Sequence, residues 1–123
     1  MAAYATQMEA AKKGILTPEM EVVAREEKMD PTLLIERVAK GTICIPANIY
    51  HKSLHPYGIG EGLRTKINVN LGISGDCHDY TEEFEKVKLA VKFQCEAIMD
   101  LSNYGKTHTF RKQLIEMSPA MIG

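Results

Sequence analysis

Beyond Thr65 the chain switches repeatedly between strand-like and helix-like spacing of its apolar residues, and that alternation leaves few folds open. Residues 65 to 71 read as a strand and 72 to 80 as a polar loop. Thr81 opens a helix with Phe84, Val87 and Val91 on one side. Residues 97 to 101 read as a second strand, and Ser102 to Lys106 as a loop. Thr107 opens a helix whose apolar face carries Phe110, Leu114 and Met117, and Pro119 ends it. Ala120 to Gly123 reads as the start of a third strand. Strand, helix, strand, helix is the pattern of parallel βαβ units. Two such units neither close a barrel nor cover both faces of a parallel sheet. The expectation is therefore an N-terminal piece of something longer, the alternative being a complete small α/β domain.

The strand over 65–71 has chemically opposite faces. Ile67, Val69 and Leu71 point one way; Lys66, Asn68 and Asn70 point the other, because strand side chains alternate. Carboxamides and an ammonium need partners if they are covered, and a polar ligand is one candidate. Asn70 stands at the carboxyl end of the strand, where parallel sheets and barrels bind ligands. Its amide offers donors and an acceptor, suited to a ring nitrogen, an amine or a sugar hydroxyl. Capping the following loop is an equal alternative. Met99 and Asp100 occupy the matching end of the next strand. Taken singly, Met99 fits a core gap-filler and Asp100 a cap for the loop at Ser102 to Lys106.

The first third is punctuated by helix caps. Thr6 caps a short helix that stops at Lys12-Lys13-Gly14. Thr17-Pro18 and Asp30-Pro31 each pair a capping side chain with proline at the first helical position. The helices they open carry Met20, Val23 and Ala24, then Leu34, Ile35, Val38 and Ala39, and Gly41 stops the second. Thr42 to Ile45 reads as a short strand ended by Pro46, and 46 to 62 as a Gly/Pro-rich connection. The expected organisation is a helical region over 1–62 followed by strand–helix units over 63–123.

Charge and cysteine content exclude several classes of function. A net charge of −1 gives no basic excess for nucleic acid. No apolar run approaches a membrane span, and the first residues lack the signature of a secretion signal. Three widely spaced cysteines, Cys44, Cys77 and Cys95, fit a reducing, cytoplasmic setting better than a disulfide framework.

Other candidate sites are weaker. Gly58-Ile-Gly-Glu-Gly62 precedes a strand, whereas phosphate loops follow one, so a flexible turn is favoured. Cys77-His78 with Asp76 and Asp79 has metal-ligand residue types, but one Cys and one His do not complete a zinc site. His51 and His55 lie four apart, yet Pro56 argues against a helix there. Arg64 and Lys66 could meet a phosphate or stay solvated, and Arg111 and Lys112 read as solvated.

Several blocks now stand in one order: Thr6-Gln-Met8, Gly14-Ile-Leu-Thr-Pro-Glu-Met20-Glu21, Ile45-Pro-Ala-Asn48, Lys66-Ile-Asn-Val-Asn70-Leu-Gly72, Ile98-Met-Asp-Leu-Ser102 and Ser118-Pro-Ala-Met-Ile-Gly123. Over nearly the whole chain this series resembles the N-terminal part of the phosphomethylpyrimidine synthase family, radical S-adenosylmethionine enzymes of thiamine biosynthesis. The resemblance implies a (β/α)8 barrel behind a helical region, a homodimer, and 5-aminoimidazole ribonucleotide as substrate. It implies a 4Fe–4S cluster that reduces S-adenosylmethionine to a 5′-deoxyadenosyl radical, and a zinc ion. The product would be 4-amino-5-hydroxymethyl-2-methylpyrimidine phosphate, with formate and carbon monoxide released.

The resemblance carries two substrate contacts onto this chain: Asn70 of Asn70-Leu-Gly72, and Met99 of Met99-Asp-Leu-Ser102. The family's CxxCxxxxC cluster motif and zinc histidines have no counterpart here, so cluster and zinc are expected outside this chain and the piece alone is expected to be inactive. A close relative, 5-hydroxybenzimidazole synthase of cobamide lower-ligand biosynthesis, shares the blocks, and Asn103-Tyr-Gly-Lys106 departs from the commoner pyrimidine-synthase sequence. A non-catalytic, truncated nucleotide-binding paralogue and a piece completed by a second polypeptide are the remaining alternatives.

Overall fold

A computed structural model describes residues 4–123 and divides the chain into two compact units. The first comprises Met1–Ala47 with Pro56–Thr65, and the second Asn48–His55 with Lys66–Gly123. No helix of the described residues is long and apolar enough to cross a membrane.

The first unit holds α1 (Gln7–Lys12), α2 (Pro18–Glu27), α3 (Pro31–Lys40), β1 (Ile43–Cys44) and β2 (Ile59–Gly60). All three helix starts use the capping residues legible in the sequence. Thr6 Oγ1 accepts from Glu9 N, Thr17 Oγ1 from Met20 N, and Asp30 Oδ1 from the amides of Thr32 and Leu33. Such caps satisfy N–H groups that the helix itself leaves orphaned, worth ~1 kcal/mol each. Thr17 is fully buried, and its hydroxyl donates to Gln7 Oε1 at 2.6 Å, tying α1 to the start of α2. Met20, Val23, Leu34 and Val38 then form the core with Ala10, Ala11 and Ile43.

The expected strand at 42–45 shortens to Ile43–Cys44, and the expected connection over 46–62 contains β2, its antiparallel partner. The reason β2 escapes a pattern search is its glycine. At Gly60, φ is +141°, and a Cβ there would lie 2.1 Å from the Thr42 carbonyl oxygen. Only glycine lets the two backbones approach that closely. Gly58 to Gly62, expected to be a flexible turn, thus includes a strand edge.

The second unit is an α/β layer: β3 (Asn68–Leu71), α4 (Tyr80–Lys92), β4 (Ala97–Asp100), α5 (Thr107–Met117) and β5 (Met121–Ile122). The three strands are parallel in the order β3-β4-β5. Ala120 to Gly123 therefore does supply a third strand. The strand expected over 65–71 is ladder-paired only from Asn68. Ile67 instead lies 61% exposed, with its N–H donated to the buried carboxylate of Glu96. Helix α4 begins at Tyr80, one residue before Thr81, because Asp79 is the cap and accepts from the amides of Thr81 and Glu82.

Leu71, Val87, Ile98, Phe110 and Leu114 are buried in one cluster between sheet and helices. Phe110 packs against the Phe84 and Tyr80 rings at centroid distances of 5.1 and 6.0 Å. Met117 does not join them. It occupies the last position of α5, beyond this cluster, and is 43% exposed.

The cysteines differ sharply in environment: Cys44 is exposed and Cys95 is buried. Burial pushes the Cys95 thiol above its ordinary value of 9.0. The unfolded chain then ionises first, so this group lowers stability as pH rises past that value. At pH 8, iodoacetamide should modify Cys44 at least about tenfold faster than Cys95, followed by peptide mass spectrometry, because the thiolate is the nucleophile. Equal rates would show that the α4–β4 core is open.

Candidate functional site

The site is built where β3 and β4 end. In the parallel register Asn70 pairs with Met99, and Asn68 with Ala97. Register partners on neighbouring strands share a face, so Asn68, Asn70 and Met99 lie together. Val69, Leu71 and Ile98 turn to the other face and pack toward the helices. Asn68 and Asn70 are exposed, and Met99 is 43% exposed. Asn68 Nδ2 donates to Asn70 Oδ1 at 2.7 Å. The result is a polar, partly open sheet face with a thioether beside a carboxamide.

Both strand ends are held by backbone contacts that continue past the strands. Leu101 N donates to Leu71 O at 2.8 Å, and Asn103 N to Ile73 O at 2.9 Å. Ile73 N donates in turn to Ser102 Oγ at 2.9 Å. Gly72 lies in this junction with φ +148°, and a Cβ there would sit 2.5 Å from Ser102 N. The Asn70-Leu-Gly72 block therefore requires its glycine for steric reasons.

Two buried carboxylates clamp the same loops. Glu83 on α4 is 1% exposed; its Oε2 accepts from Gly72 N at 2.9 Å. Its Oε1 meets the Lys86 ammonium and lies 3.9 Å from Cys77 Sγ. The hydrogen bond that the Lys86 ammonium donates to Glu83 raises its pKa above the ordinary value. The side chain of Asp100 is fully buried; Oδ1 accepts from Ser102 N at 3.0 Å and Oδ2 pairs with Arg111 Nε at 3.0 Å. Asp100 is therefore a loop cap, the role expected of it. Arg111, expected to be solvated, instead neutralises it: from the middle of α5 its half-exposed guanidinium reaches the carboxyl end of β4 and relieves the expense of burying that charge.

Sequence reading missed Glu83 and Glu96. Glu83 shares a helical stripe with Val87 and Ala90, all three buried, and an acid on an apolar stripe is the signal that was available. Glu96 immediately precedes β4, where nothing in the pattern separates it from a surface acid.

The remaining candidates have structural partners. His51 is buried, with Nε2 donating to Ser118 O at 2.6 Å, and Ser53 Oγ donates to the same oxygen. His55 N donates to Pro119 O. His78 Nδ1 lies 3.3 Å from Gly75 O. Arg64 Nη1 donates to Thr65 O, and neither Arg64 nor Lys66 is a free cation. Among the described residues, no group of three or more His, Cys, Asp or Glu side chains could hold a metal ion.

Parallel strands, with helices after the first two and a carboxamide and a thioether paired at the carboxyl ends of β3 and β4, define an α/β protein. The profile of the radical SAM ThiC family matches residues 6–123, and the chain belongs to that family. It is 63% identical over 120 residues to a phosphomethylpyrimidine synthase of Clostridium botulinum (strain 657 / Type Ba4), covering 98% of this chain and 28% of that protein. It is 65% identical over 120 residues to a phosphomethylpyrimidine synthase of Alkaliphilus metalliredigens (strain QYMF), with the same coverage of 98% and 28%. The chain thus spans under a third of the length of the curated relatives it matches.

Replacing Glu83 with Ala should leave the Gly72 amide without its acceptor and lower stability by about 1–3 kcal/mol in urea unfolding. Glu83→Gln, which keeps an acceptor, should lose less. Lys86 contributes with the opposite pH sense to a carboxylate: its share is complete below 10.5 and disappears as pH rises through the higher folded value. Lys86→Met should remove that alkaline loss.

Proposed function

We propose that this chain is the N-terminal part of a phosphomethylpyrimidine synthase, acting as a cytoplasmic homodimer when complete. In this reading residues 63–123 are the first two strand–helix units of a (β/α)8 barrel, behind a helical region over 1–62. The sheet face that carries Asn70 and Met99 becomes the barrel's interior, at the carboxyl end where such barrels place their chemistry. The observation that carries the reading is the in-register pairing of Asn70 with Met99, within a chain of this family.

The substrate of that reading is 5-aminoimidazole ribonucleotide. Asn70 hydrogen-bonds it, and Met99 lays a polarisable thioether against its flat ring, a contact suited to sulfur. Gly72, Glu83 and Asp100 hold the two strand ends so that both side chains stay side by side. The 4Fe–4S cluster, S-adenosylmethionine and zinc of the radical chemistry are assigned to residues beyond this chain. The donors here do not fit a cluster. Iron–sulfur ligation needs convergent thiolates. Cys95 is instead buried with a raised pKa, and Cys77 Sγ faces Glu83.

The pyrimidine product is favoured over the benzimidazole one by the names of the similar proteins. The Asn103-Tyr-Gly-Lys106 loop gives no reason to prefer the alternative. Asn103 N donates to Ile73 O, Tyr104 packs at 6.1 Å from the His78 ring, and Lys106 N donates to the Tyr80 hydroxyl. Those are structural contacts of the backbone and one ring. A non-catalytic nucleotide-binding paralogue is separated from the enzyme by turnover.

In the complete protein, Asn70→Ala should weaken nucleotide binding or turnover by roughly 5- to 150-fold with little change in melting temperature, the effect of one lost hydrogen bond to a ligand. Product analysis after anaerobic incubation with aminoimidazole ribonucleotide, S-adenosylmethionine and a reductant identifies the reaction. Unchanged affinity and rate in the variant would remove Asn70 from the site.

A further inference from the structure

The carboxamides of Asn68 and Asn70 form a hydrogen-bonded pair with two outer ends. Asn68 Nδ2 donates to Asn70 Oδ1 at 2.7 Å, and neither Asn68 Oδ1 nor Asn70 Nδ2 has a partner among the described residues. Both residues are exposed on the open face of β3, where alternate side chains of a strand stand together. An amide that turns over exchanges donor for acceptor with almost no change of shape. When both turn together their mutual bond is kept, now donated by Asn70, and the outer ends exchange as well. Either way the pair presents one donor and one acceptor, in opposite orders.

A ligand atom that only accepts, such as a ring nitrogen lone pair or a phosphate oxygen, finds its donor on a different residue in the two arrangements. A group that only donates has the mirror-image restriction. A hydroxyl both donates and accepts, so it is satisfied at either end in both arrangements. Resting on the reading above, we infer that Asn68 is a second substrate-binding residue, and that the Asn68–Asn70 pair meets the ribose hydroxyls of the nucleotide. The flat ring is left to the Met99 thioether, a weak hydrogen-bonding group that suits an aromatic surface. The pair then selects for a ribose, because a sugar without those hydroxyls leaves both amide ends unpaired once the ligand has displaced water.

The test is binding, measured by calorimetry on the complete protein without reductant, so that no chemistry intervenes. The probes are 5-aminoimidazole ribonucleotide and its 2′,3′-dideoxy counterpart, the weaker of the two measured by displacement of the other. The unmutated protein should bind the dideoxy probe roughly 5- to 150-fold more weakly. Asn68→Ala should weaken the ribonucleotide by a factor of that order at an unchanged melting temperature. It should leave dideoxy affinity where it was, because the amide it removes had no hydroxyl to bind. Asn68→Leu, close to asparagine in size and without hydrogen-bonding groups, should behave as Asn68→Ala does, and it decides alone if the smaller variant does not fold. Unchanged ribonucleotide affinity in these variants would overturn the assignment while leaving the proposed function standing. So would an equal loss for both probes, the mark of a residue that meets the ring or phosphate, or that acts only through the fold. Absence of ribonucleotide binding by the unmutated protein would instead remove the functional reading, and this assignment with it.

Discussion

A glycine with no room for a side chain sets the geometry of the strand ends. Gly72 passes so close to Ser102 that a Cβ would lie 2.5 Å from its amide nitrogen. That approach lets the β3 and β4 exits hydrogen-bond one another through Leu71, Ile73, Leu101 and Asn103. Glu83 then completes the arrangement from α4 by taking the Gly72 N–H. If the exits parted, Asn70 and Met99 would lose the support that keeps them adjacent. The register of two short strands would then rest on a few ladder bonds and the apolar contacts of Val69, Leu71 and Ile98.

The sheet separates its polar groups by kind. On the helix side stand buried carboxylates, each already matched: Glu83 to Lys86 and a backbone amide, Asp100 to Arg111 and another. On the open side of β3 stand neutral carboxamides. The separation has a physical logic. A charge is tolerable in the layer interior only with its counter-ion and hydrogen bonds present. A neutral amide carries no such demand and does not repel an anionic ligand, which suits a surface that must be desolvated reversibly.

Much of this was legible in the residues. The caps at Thr6, Thr17 and Asp30 follow from side chains that accept hydrogen bonds from orphan amides, a purely local effect. The two-faced character of β3 follows from strand periodicity, and its pairing with the next strand from the strand–helix alternation. What could not be read was tertiary. Ile59-Gly60 forms a strand only because Ile43-Cys44 lies opposite, and Glu83 is buried where Gly72 presents an amide to it. Arg111 looks like a surface cation until β4 brings Asp100 within 3.0 Å. The functional meaning of Asn70 and Met99 was not in pattern at all: composition left Asn70 balanced between loop cap and ligand, and the family resemblance made it a site.

The strand order leaves β3 and β5 as the margins of the sheet. Each margin offers a row of backbone groups to whatever extended peptide comes near, and parallel strands tolerate such exposure poorly. A polypeptide of this length produced by itself would thus carry two templates for self-stacking. Its solution behaviour would be governed by copies of itself competing for those rows, and light scattering belongs before any titration.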